Sequence, residues 1–389
     1  MSIEFSVSST FYSTGVVANI TLETALAEAN FAFYLFKDGL RIARHHYSEE
    51  ATVFFPIEEM AAGTYRVSGF VIDKNTSAKS SKYSKSISVD PKRLPPFPTA
   101  AKRQIRLKEW GVNCDLWKTP GSQYIARTEN LPNDYYRVRT NSSGFIISGR
   151  NWEAPRLPSE TWIFLGDSFL ECLMIPESVR LTARIEKKLS QAGLQVQCLN
   201  GGYSGATTLH LVNVLLNKVI SLSPARVFFF VPTNDARVLD LPGGYWRDDK
   251  LHSPFSPAHN RSEESYKERS NDQSLPALLE LVHTICTNWR IKLTLVTTPH
   301  RHIGYSHDEW LQRRFPAEQH FKKIAKRRSG INSTVRRFAS TMSLPLIDLE
   351  RLAKDYKKYS YDDLHLTAQG SELISDLLIN EFMKTQKKA

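Results

Sequence analysis

The chain has 389 residues, of which 41% are hydrophobic and 11% aromatic, so it can bury a substantial core and is long enough for two domains. Lys and Arg number 51 against 40 Asp and Glu, which gives a formal net charge of +11. A basic face can meet an acidic glycan, an anionic membrane surface or nucleic acid, or it can be a solvated surface that aids solubility. The sequence contains no recognised nucleic-acid motif, so charge alone does not predict a nucleic-acid partner.

Cysteine usage and the first residues bear on compartment. The four cysteines show neither a CxxC pair nor framework spacing, which indicates buried free thiols instead of a metal cluster or a disulfide scaffold: Cys114, Cys172, Cys198 and Cys286. The start, MSIEFSVSSTFYSTGVV, has no basic region followed by an apolar one, and no run reaches 18 apolar residues. We expect a cytoplasmic protein without a transmembrane segment, provided that this is the native full-length chain.

The first 90 residues have the pattern of an antiparallel β-sandwich. In FAFYLFKDGLRIARHHYS, two strand-like runs flank Asp38-Gly39, which can supply the positive φ angles of a tight hairpin turn. Short alternating runs follow in ATVFFPI, GTYRVSGFVID and KYSKSISV. GTYRV resembles the tyrosine corner of immunoglobulin-like and fibronectin type III domains. We therefore predict an accessory or recognition domain at residues 1–90.

A linker and a second domain follow. DPKRLPPFPTA carries four prolines between Pro91 and Pro98 and cannot continue a strand ladder. We assign residues 91–158 to a proline-rich linker and lead-in segment. From residue 159 to 389, five apolar runs alternate with helical periodicity: TWIFLG, LQVQCLN, RVFFFV, LTLVTT and LPLIDL. This rhythm predicts a doubly wound α/β domain with a parallel sheet, whose chemistry gathers at the carboxyl ends of the strands.

Polar residues stand at three of these strand ends. Ser168 follows Leu165-Gly166-Asp167 and can expose its hydroxyl at the sheet rim, although Asp167 or Ser168 could equally cap a helix. NGGYSGATT, beginning at Asn200, can turn sharply and point N–H groups at an anion, or it is a plain glycine-rich turn. In PTND, Asn234 can offer its amide to an oxyanion, although turn formation is the commoner use of asparagine.

A fourth element, YDDLHLTAQG, precedes the last predicted helix. Asp362 and His365 are three residues apart, so one helix-like turn could bring the carboxylate beside the imidazole. A carboxylate fixes the ring tautomer and stabilises its protonated form, as a general base for a serine requires. A histidine three residues after an aspartate is also common as a surface or capping pair.

Together, in this order, the four pieces resemble the SGNH/GDSL hydrolase superfamily over about residues 160–385. The resemblance implies a flavodoxin-like five-stranded parallel sheet. It also implies that Ser168 is the nucleophile and first oxyanion donor through its N–H, that Gly205 is the second donor, and that Asn234 is the third through its side chain. His365 would be the general base, oriented by Asp362, with Asp363 as the rival for that role.

The implied activity is a two-step acyl transfer by a serine esterase that needs no metal and no other cofactor. The substrate that we expect is an acylated, above all O-acetylated, carbohydrate or glycan precursor, or another small ester. An acyltransferase on the same scaffold and a non-catalytic glycan-binding or assembly protein remain the alternatives. Pro232 departs from the family pattern, because it stands where block three usually has glycine.

Two further stretches offer candidates for substrate contact. LPGGYW carries Tyr245 and Trp246, which could form a sugar-stacking platform or be pinned into the core. PHRHIGYSHDEW brings His300, His302 and His307 to the end of the fourth strand, and we read them as substrate contacts and not as metal ligands.

Overall fold

The computed structural model describes residues 3–24, 26, 28–58, 60–95, 104–147, 160–247, 251–256, 273–302 and 304–386. The chain forms two compact units, Met1–Lys102 and Arg103–Ala389. The finer division at residues 90 and 158 stays a prediction, and residues 96–103 and 148–159 of its middle part lie outside the described residues.

The first unit is an antiparallel β-sandwich. Three strands form one sheet in the order β1-β2-β5, and the other sheet has the order β4-β3-β6-β7, with β8 pairing with β6. Alternate residues of both sheets, such as Phe5, Val16, Phe33 and Val67, share one apolar core. The strands are β1 (Phe5–Tyr12), β2 (Gly15–Leu22), β3 (Ala29–Lys37), β4 (Leu40–Ser48), β5 (Thr52–Pro56), β6 (Gly63–Asp73), β7 (Lys79–Tyr83) and β8 (Ile87–Val89).

Two local predictions for this unit are confirmed. Asp38 and Gly39 have φ angles of 48° and 83° and form the turn between β3 and β4. The Tyr65 hydroxyl donates to the Ala61 carbonyl 2.9 Å away, four residues upstream, which is the geometry of a tyrosine corner. The side chain of Tyr65 is buried, so the corner fixes the start of β6 to the core.

The second unit contains a five-stranded parallel sheet in the order β13-β12-β14-β16-β17. This is the flavodoxin-like order 2-1-3-4-5, as predicted. The strands of the unit are β9 (Gln104–Ile105), β10 (Asp115–Lys118), β11 (Tyr136–Arg139), β12 (Glu160–Gly166), β13 (Val196–Gly202), β14 (Arg226–Phe230), β15 (Phe255–Ser256), β16 (Lys292–Val296) and β17 (Leu346–Ile347). Its helices are α1 (Ser122–Ile125), α2 (Ser168–Glu171), α3 (Leu181–Gln191), α4 (Thr208–Val214), α5 (Asp235–Val238), α6 (Ser274–Asn288), α7 (Glu309–Arg314), α8 (Glu318–Thr341), α9 (Leu349–Leu352) and α10 (Ala368–Gln386).

Both faces of the parallel sheet are covered by helices. Because strand side chains alternate, Ile163 and Phe229 enter the cluster under α4, α6 and α8, whereas Phe164 and Phe228 enter the cluster under α3 and α10. The rings of Phe164 and Phe228 stack with centroids 4.7 Å apart. This double burial explains why the strand sequences are continuous apolar runs.

The lead-in residues 104–147 belong to this second unit. Ile146 exchanges backbone hydrogen bonds with Asn200 on the edge strand β13, at 2.9 and 3.3 Å. β10 pairs with β11, and β9 pairs with β15. The segment is therefore packed structure, and the sheet edge at β13 is partly occupied by it. In the described part of the chain, no helix is both long enough and apolar enough to span a membrane.

Two helical glycines provide a matched test of packing near the carboxyl end of the sheet. A Cβ at Gly370 in α10 would lie 1.9 Å from the Tyr359 carbonyl oxygen, whereas a Cβ at Gly330 in α8 would meet nothing within 4 Å. We expect Gly370→Ala to lower the free energy of unfolding by about 1–3 kcal/mol through overpacking. Gly330→Ala should raise it by about 0.5–1 kcal/mol, because alanine favours a helix. Urea unfolding followed by circular dichroism checks both, and equal effects of the two substitutions would contradict this packing.

Candidate active site

Ser168, His365 and Asp362 form a hydrogen-bonded chain at the rim of the parallel sheet. Nε2 of His365 lies 2.8 Å from Oγ of Ser168. Nδ1 of His365 lies 2.7 Å from Oδ2 of Asp362. Both distances lie within the reach of a nucleophile, a base and a group that orients the base.

Ser168 is the first residue of α2, directly after β12. Asp167 is the N-cap of this helix: its Oδ1 accepts from the Phe169 N–H at 3.0 Å. Its Oδ2 accepts from the backbone N–H and the hydroxyl of Thr233, at 2.8 and 2.9 Å. The capping interpretation therefore holds for Asp167, and the hydroxyl of Ser168 is left to face His365.

The loop before α10 holds the histidine. Oδ1 of Asp362 accepts from the backbone N–H groups of Leu364 and His365, at 2.8 and 2.6 Å. The ring of Tyr361 stacks on His365 with centroids 5.7 Å apart and an interplanar angle of 12°. One carboxylate thus closes the turn with one oxygen and orients the imidazole with the other.

Asp363, the rival partner, faces elsewhere. Its carboxylate pairs with the guanidinium of Arg328. Its carbonyl oxygen accepts from the backbone N–H of Arg301 at 2.9 Å. The structure therefore brings Asp362, and not Asp363, to His365.

In the Asp362–His365 pair, each side chain shifts the pKa of the other toward its charged form. Burial alone would lower the pKa of His365, but the Asp362 carboxylate outweighs it, and the pKa lies above its usual value. Burial alone would raise the pKa of Asp362, but His365 and the N–H donors at its carboxylate hold it below its usual range. Asp362 is therefore ionised at neutral pH, as an orienting partner must be.

Three candidate donors converge beside Ser168. Within the described residues, neither the N–H of Ser168 nor that of Gly205 donates to another protein group. The amide nitrogen of Asn234 lies 3.0 Å from the Ala206 carbonyl oxygen and 3.3 Å from Oδ2 of Asp167. Asn234 is thus held between the residue after Gly205 and the residue before Ser168. Donation to an oxyanion requires it to give up or share its longer bond, the one to Asp167.

Gly205 adopts a left-handed conformation, with φ at +74°. A Cβ there would lie 3.5 Å from Nζ of Lys108 and 3.6 Å from Cδ1 of Leu251. The requirement for glycine is therefore set mainly by the backbone angle, which turns the chain after β13.

Pro232 is accommodated because the ladder ends before it. The Val231 N–H donates to the Val296 carbonyl at 3.2 Å, and the Val231 carbonyl accepts from the Thr298 hydroxyl at 3.2 Å. The Pro232 carbonyl accepts from the N–H of Asp235 at 3.2 Å, so the turn forms without an N–H at residue 232.

Asp235 links two helix starts. Its carboxylate accepts from the N–H of Thr208 at 2.9 Å and from the hydroxyl of the same residue. Burial raises the pKa of Asp235 to about 7, although the hydrogen bonds from Thr208 act to lower it. Asp235 ties the turn after β14 to the first residue of α4.

Sequence reasoning missed the contribution of the lead-in segment. Nε1 of Trp110 donates to Oε1 of Glu171 at 2.9 Å, and the Ser204 hydroxyl donates to Oε2 of the same carboxylate. Burial raises the pKa of Glu171. The Tyr124 hydroxyl lies 3.3 Å from that of Tyr361, whose ring stacks on His365. The sequence offered no signal for these contacts, since each joins residues far apart in the chain.

The remaining candidates are placed as follows. Tyr245 is buried and Trp246 is 48% exposed, so only Trp246 could offer a face to a sugar. His300, His302 and His307 line a cavity whose walls do not include Ser168 or His365. The described residues contain no cluster of three or more His, Cys, Asp or Glu placed to hold a metal ion. All four cysteines are free thiols.

The profile of the GDSL-like lipase/acylhydrolase family matches residues 164–373, and the chain belongs to that family. It is therefore a hydrolase of the SGNH/GDSL class. No curated protein matches the chain in sequence.

Several solved structures are similar to part of this chain. An acetyl xylan esterase is 19% identical, and the match covers 57% of this chain and 98% of the esterase, with a TM-score of 0.37. A lipase/acylhydrolase from Enterococcus faecalis is 19% identical over 57% of this chain and 94% of its own, with a TM-score of 0.36. An acetylxylan esterase from Geobacillus stearothermophilus is 15% identical over 58% of this chain and 94% of its own, with a TM-score of 0.38.

The two adjacent aspartates give a matched test of the histidine partner. The acid limb of kcat/KM should report a His365 pKa above 6.5, because activity needs the neutral ring. Asp362→Asn should lower kcat by a factor on the order of 10⁴ and move the acid limb to lower pH, since the carboxylate that raises the pKa is gone. Asp363→Asn should change kcat by less than about tenfold, because Asp363 pairs with Arg328 and acts on His365 only as a weaker charge than Asp362. A pH profile with a small acetyl ester measures both, and similar losses in the two variants would contradict the assignment.

The contacts of Asp167 give a matched test of the third donor. We expect Asn234→Ala to lower kcat by a factor of about 100 to 1,000, as loss of one oxyanion donor does. Thr233→Val removes a hydroxyl that donates to the same Asp167 oxygen, but no oxyanion donor, and should change kcat by less than about tenfold. If both variants lose activity equally, Asn234 acts by holding Asp167 and not by donating to the oxyanion.

Proposed function

We propose that this protein is a serine esterase that cleaves O-acyl esters, in particular O-acetyl esters, of a carbohydrate or glycan precursor. The observation that carries the proposal is the hydrogen-bonded chain from Oγ of Ser168 through His365 to Asp362. The β-sandwich is proposed as an accessory module for recognition.

In the first step, Nε2 of His365 takes the Ser168 proton while Oγ attacks the carbonyl carbon of the ester. The tetrahedral intermediate collapses when the protonated His365 gives its proton to the leaving sugar oxygen. The sugar alcohol departs, and the acyl group stays on Ser168 as an ester.

In the second step, water takes the place of the alcohol. His365 removes a proton from water, and the resulting hydroxide attacks the acyl carbonyl. The proton then returns to Oγ of Ser168, which releases the carboxylic acid and restores the free enzyme. Asp362 keeps its negative charge throughout and stabilises the imidazolium in both steps.

The developing oxyanion would be held by three groups: the N–H groups of Ser168 and Gly205 and the side chain of Asn234. The two backbone donors have no other acceptor among the described residues, so they are available without rearrangement. This preorganisation favours acyl transfer over mere binding of the substrate.

The carbohydrate part of the proposal is supported by Trp246, which is 48% exposed. It ends a 3-10 helix, Gly244–Trp246, that contacts α5, and α5 begins at the residue after Asn234. An exposed indole in this position can stack on the apolar face of a sugar ring.

The proposal is tested by covalent labelling and substrate turnover. A fluorophosphonate should label the wild-type protein at Ser168. Labelling and hydrolysis of small acetyl esters should both be lost in Ser168→Ala, and His365→Ala should lose hydrolysis, because nucleophile and base act as a unit. Ser333→Ala, which removes an exposed helical hydroxyl on α8, is the matched control and should behave as wild type.

Acetylated sugars then test the substrate class, with and without an acceptor alcohol. Release of free acetate at the same rate in both conditions supports an esterase. Transfer of the acetyl group to the acceptor in preference to water would replace it by an acyltransferase. If wild-type protein is neither labelled nor active toward any acetyl ester, the catalytic proposal fails.

A further inference from the structure

A cavity of about 650 Å³ lies in the second unit, and its lining does not include Ser168, Asp362 or His365. It is lined by residues 300–302, 304, 307 and 308 after β16, by Ser329 and Arg336 of α8, and by residues 350, 351 and 353–358. Its size falls within the range of small-molecule sites, about 300 to 1,000 Å³.

The rim of this cavity is cationic. Its lining contains six Lys or Arg side chains against three Asp or Glu. Arg301 pairs with Glu129 and Asp308. Arg336 pairs with Asp348 and Glu350. Among the other cations, Arg351 lies 3.5 Å from Asp348, Lys357 lies 3.2 Å from Asp308 and Lys358 lies 3.7 Å from Asp355. Lys354 is the lining cation that has no acidic partner among the described residues.

The floor of the cavity offers acceptors. His300 is 1% exposed, and its Nε2 lies 3.3 Å from the Ala325 carbonyl oxygen and 3.4 Å from Oγ of Ser329. Ser329 itself donates to Oε1 of Glu350 at 2.9 Å, so it accepts from Nε2–H. Nδ1 of His300 is buried without a hydrogen-bond partner and lies 3.7 Å from Oε1 of Glu350.

Two acceptors therefore face each other across the floor. Burial, with Arg328 nearby, lowers the pKa of His300 to about 4, so the ring is neutral at pH 7 and Nδ1 carries a lone pair. A neutral Nδ1 and a carboxylate oxygen cannot bond to each other. A hydroxyl placed beside this pair of atoms and donating to Nδ1 would satisfy the buried ring nitrogen, and a second hydroxyl could donate to Glu350.

We propose that this cavity binds an anionic monosaccharide, with sugar hydroxyls donating to Nδ1 of His300 and to Glu350. The negative group pairs with Lys354 and with the exposed Lys357, whose ammonium it shares with Asp308. The negative group can be a carboxylate or a phosphate, since lysine binds both as a point charge. This site is separate from Ser168 and does not rest on the proposed esterase activity.

The cavity also borders the turn that carries Asp362 and His365. Arg301 donates to the Ser360 carbonyl at 2.7 Å and to the Ser360 hydroxyl at 3.0 Å. The Tyr356 hydroxyl donates to the Leu364 carbonyl. Both residues line the cavity, so the bound sugar lies against the side chains that support the Asp362–His365 turn.

Calorimetric titration of the full-length protein with glucuronate, glucose 6-phosphate, glucose and inorganic phosphate tests this site. We expect at least one of the two charged sugars to bind about tenfold or more tightly than both glucose and inorganic phosphate. Glucose lacks the negative group that pairs with lysine, and inorganic phosphate lacks the sugar hydroxyls. The charged sugar that binds more tightly identifies the anionic group, as a carboxylate or as a phosphate. No binding of either charged sugar at millimolar concentration, or equal binding of glucose or phosphate, overturns the proposal.

Matched charge variants locate the site. Lys354→Gln/Lys357→Gln should weaken binding of the charged sugar about tenfold or more. Lys187→Gln/Lys292→Gln removes the same charge from two exposed positions outside the cavity and should leave affinity unchanged. Protein whose Ser168 has been replaced by alanine should bind as wild type. Equal weakening in both double variants, or loss of binding in Ser168→Ala, would show that the sugar does not bind here.

Discussion

The buried carboxylate of Asp167 joins the carboxyl ends of β12 and β14, and the placement of Ser168 and Asn234 depends on it. One oxygen caps α2 at Phe169, and the other accepts from the N–H and hydroxyl of Thr233 after β14. Ser168 and Asn234 are the next residues along each strand end, so a single side chain sets their separation. Because its oxygens are satisfied by backbone and hydroxyl donors, the cost of burying the charge is offset within the site.

The histidine side of the site is supported by a different set of contacts. Asp362 closes the turn that carries His365, and Tyr361 stacks on the histidine ring. Arg301 donates to the Ser360 carbonyl at the start of the same turn. Tyr124 reaches Tyr361 from the lead-in segment. Ser168 and His365 are thus held by different sets of contacts, and the hydrogen bond between them joins the two sets.

Local and periodic features were predictable from the sequence, and long-range contacts were not. The five strands, the Asp38-Gly39 hairpin and the turn from Asp362 to His365 follow from patterns within a few residues. The choice of Asp362 over Asp363 needed the position of Arg328, which is 35 residues away. The support from Trp110 and Tyr124 could not be foreseen, because aromatic residues in an irregular segment carry no periodicity that indicates what they contact.

The exchange of hydrogen bonds between Ile146 and Asn200 bears on how copies of this protein meet. An open parallel sheet offers two edges to which another strand can add. At β13 part of that edge is taken by the chain itself, and at the opposite edge β17 is only two residues long. In the described part of the chain, the bridge at Ile146 therefore shortens the open stretch of β13, and β17 offers only two residues. Both features make the sheet a poorer template for the addition of a strand from another copy.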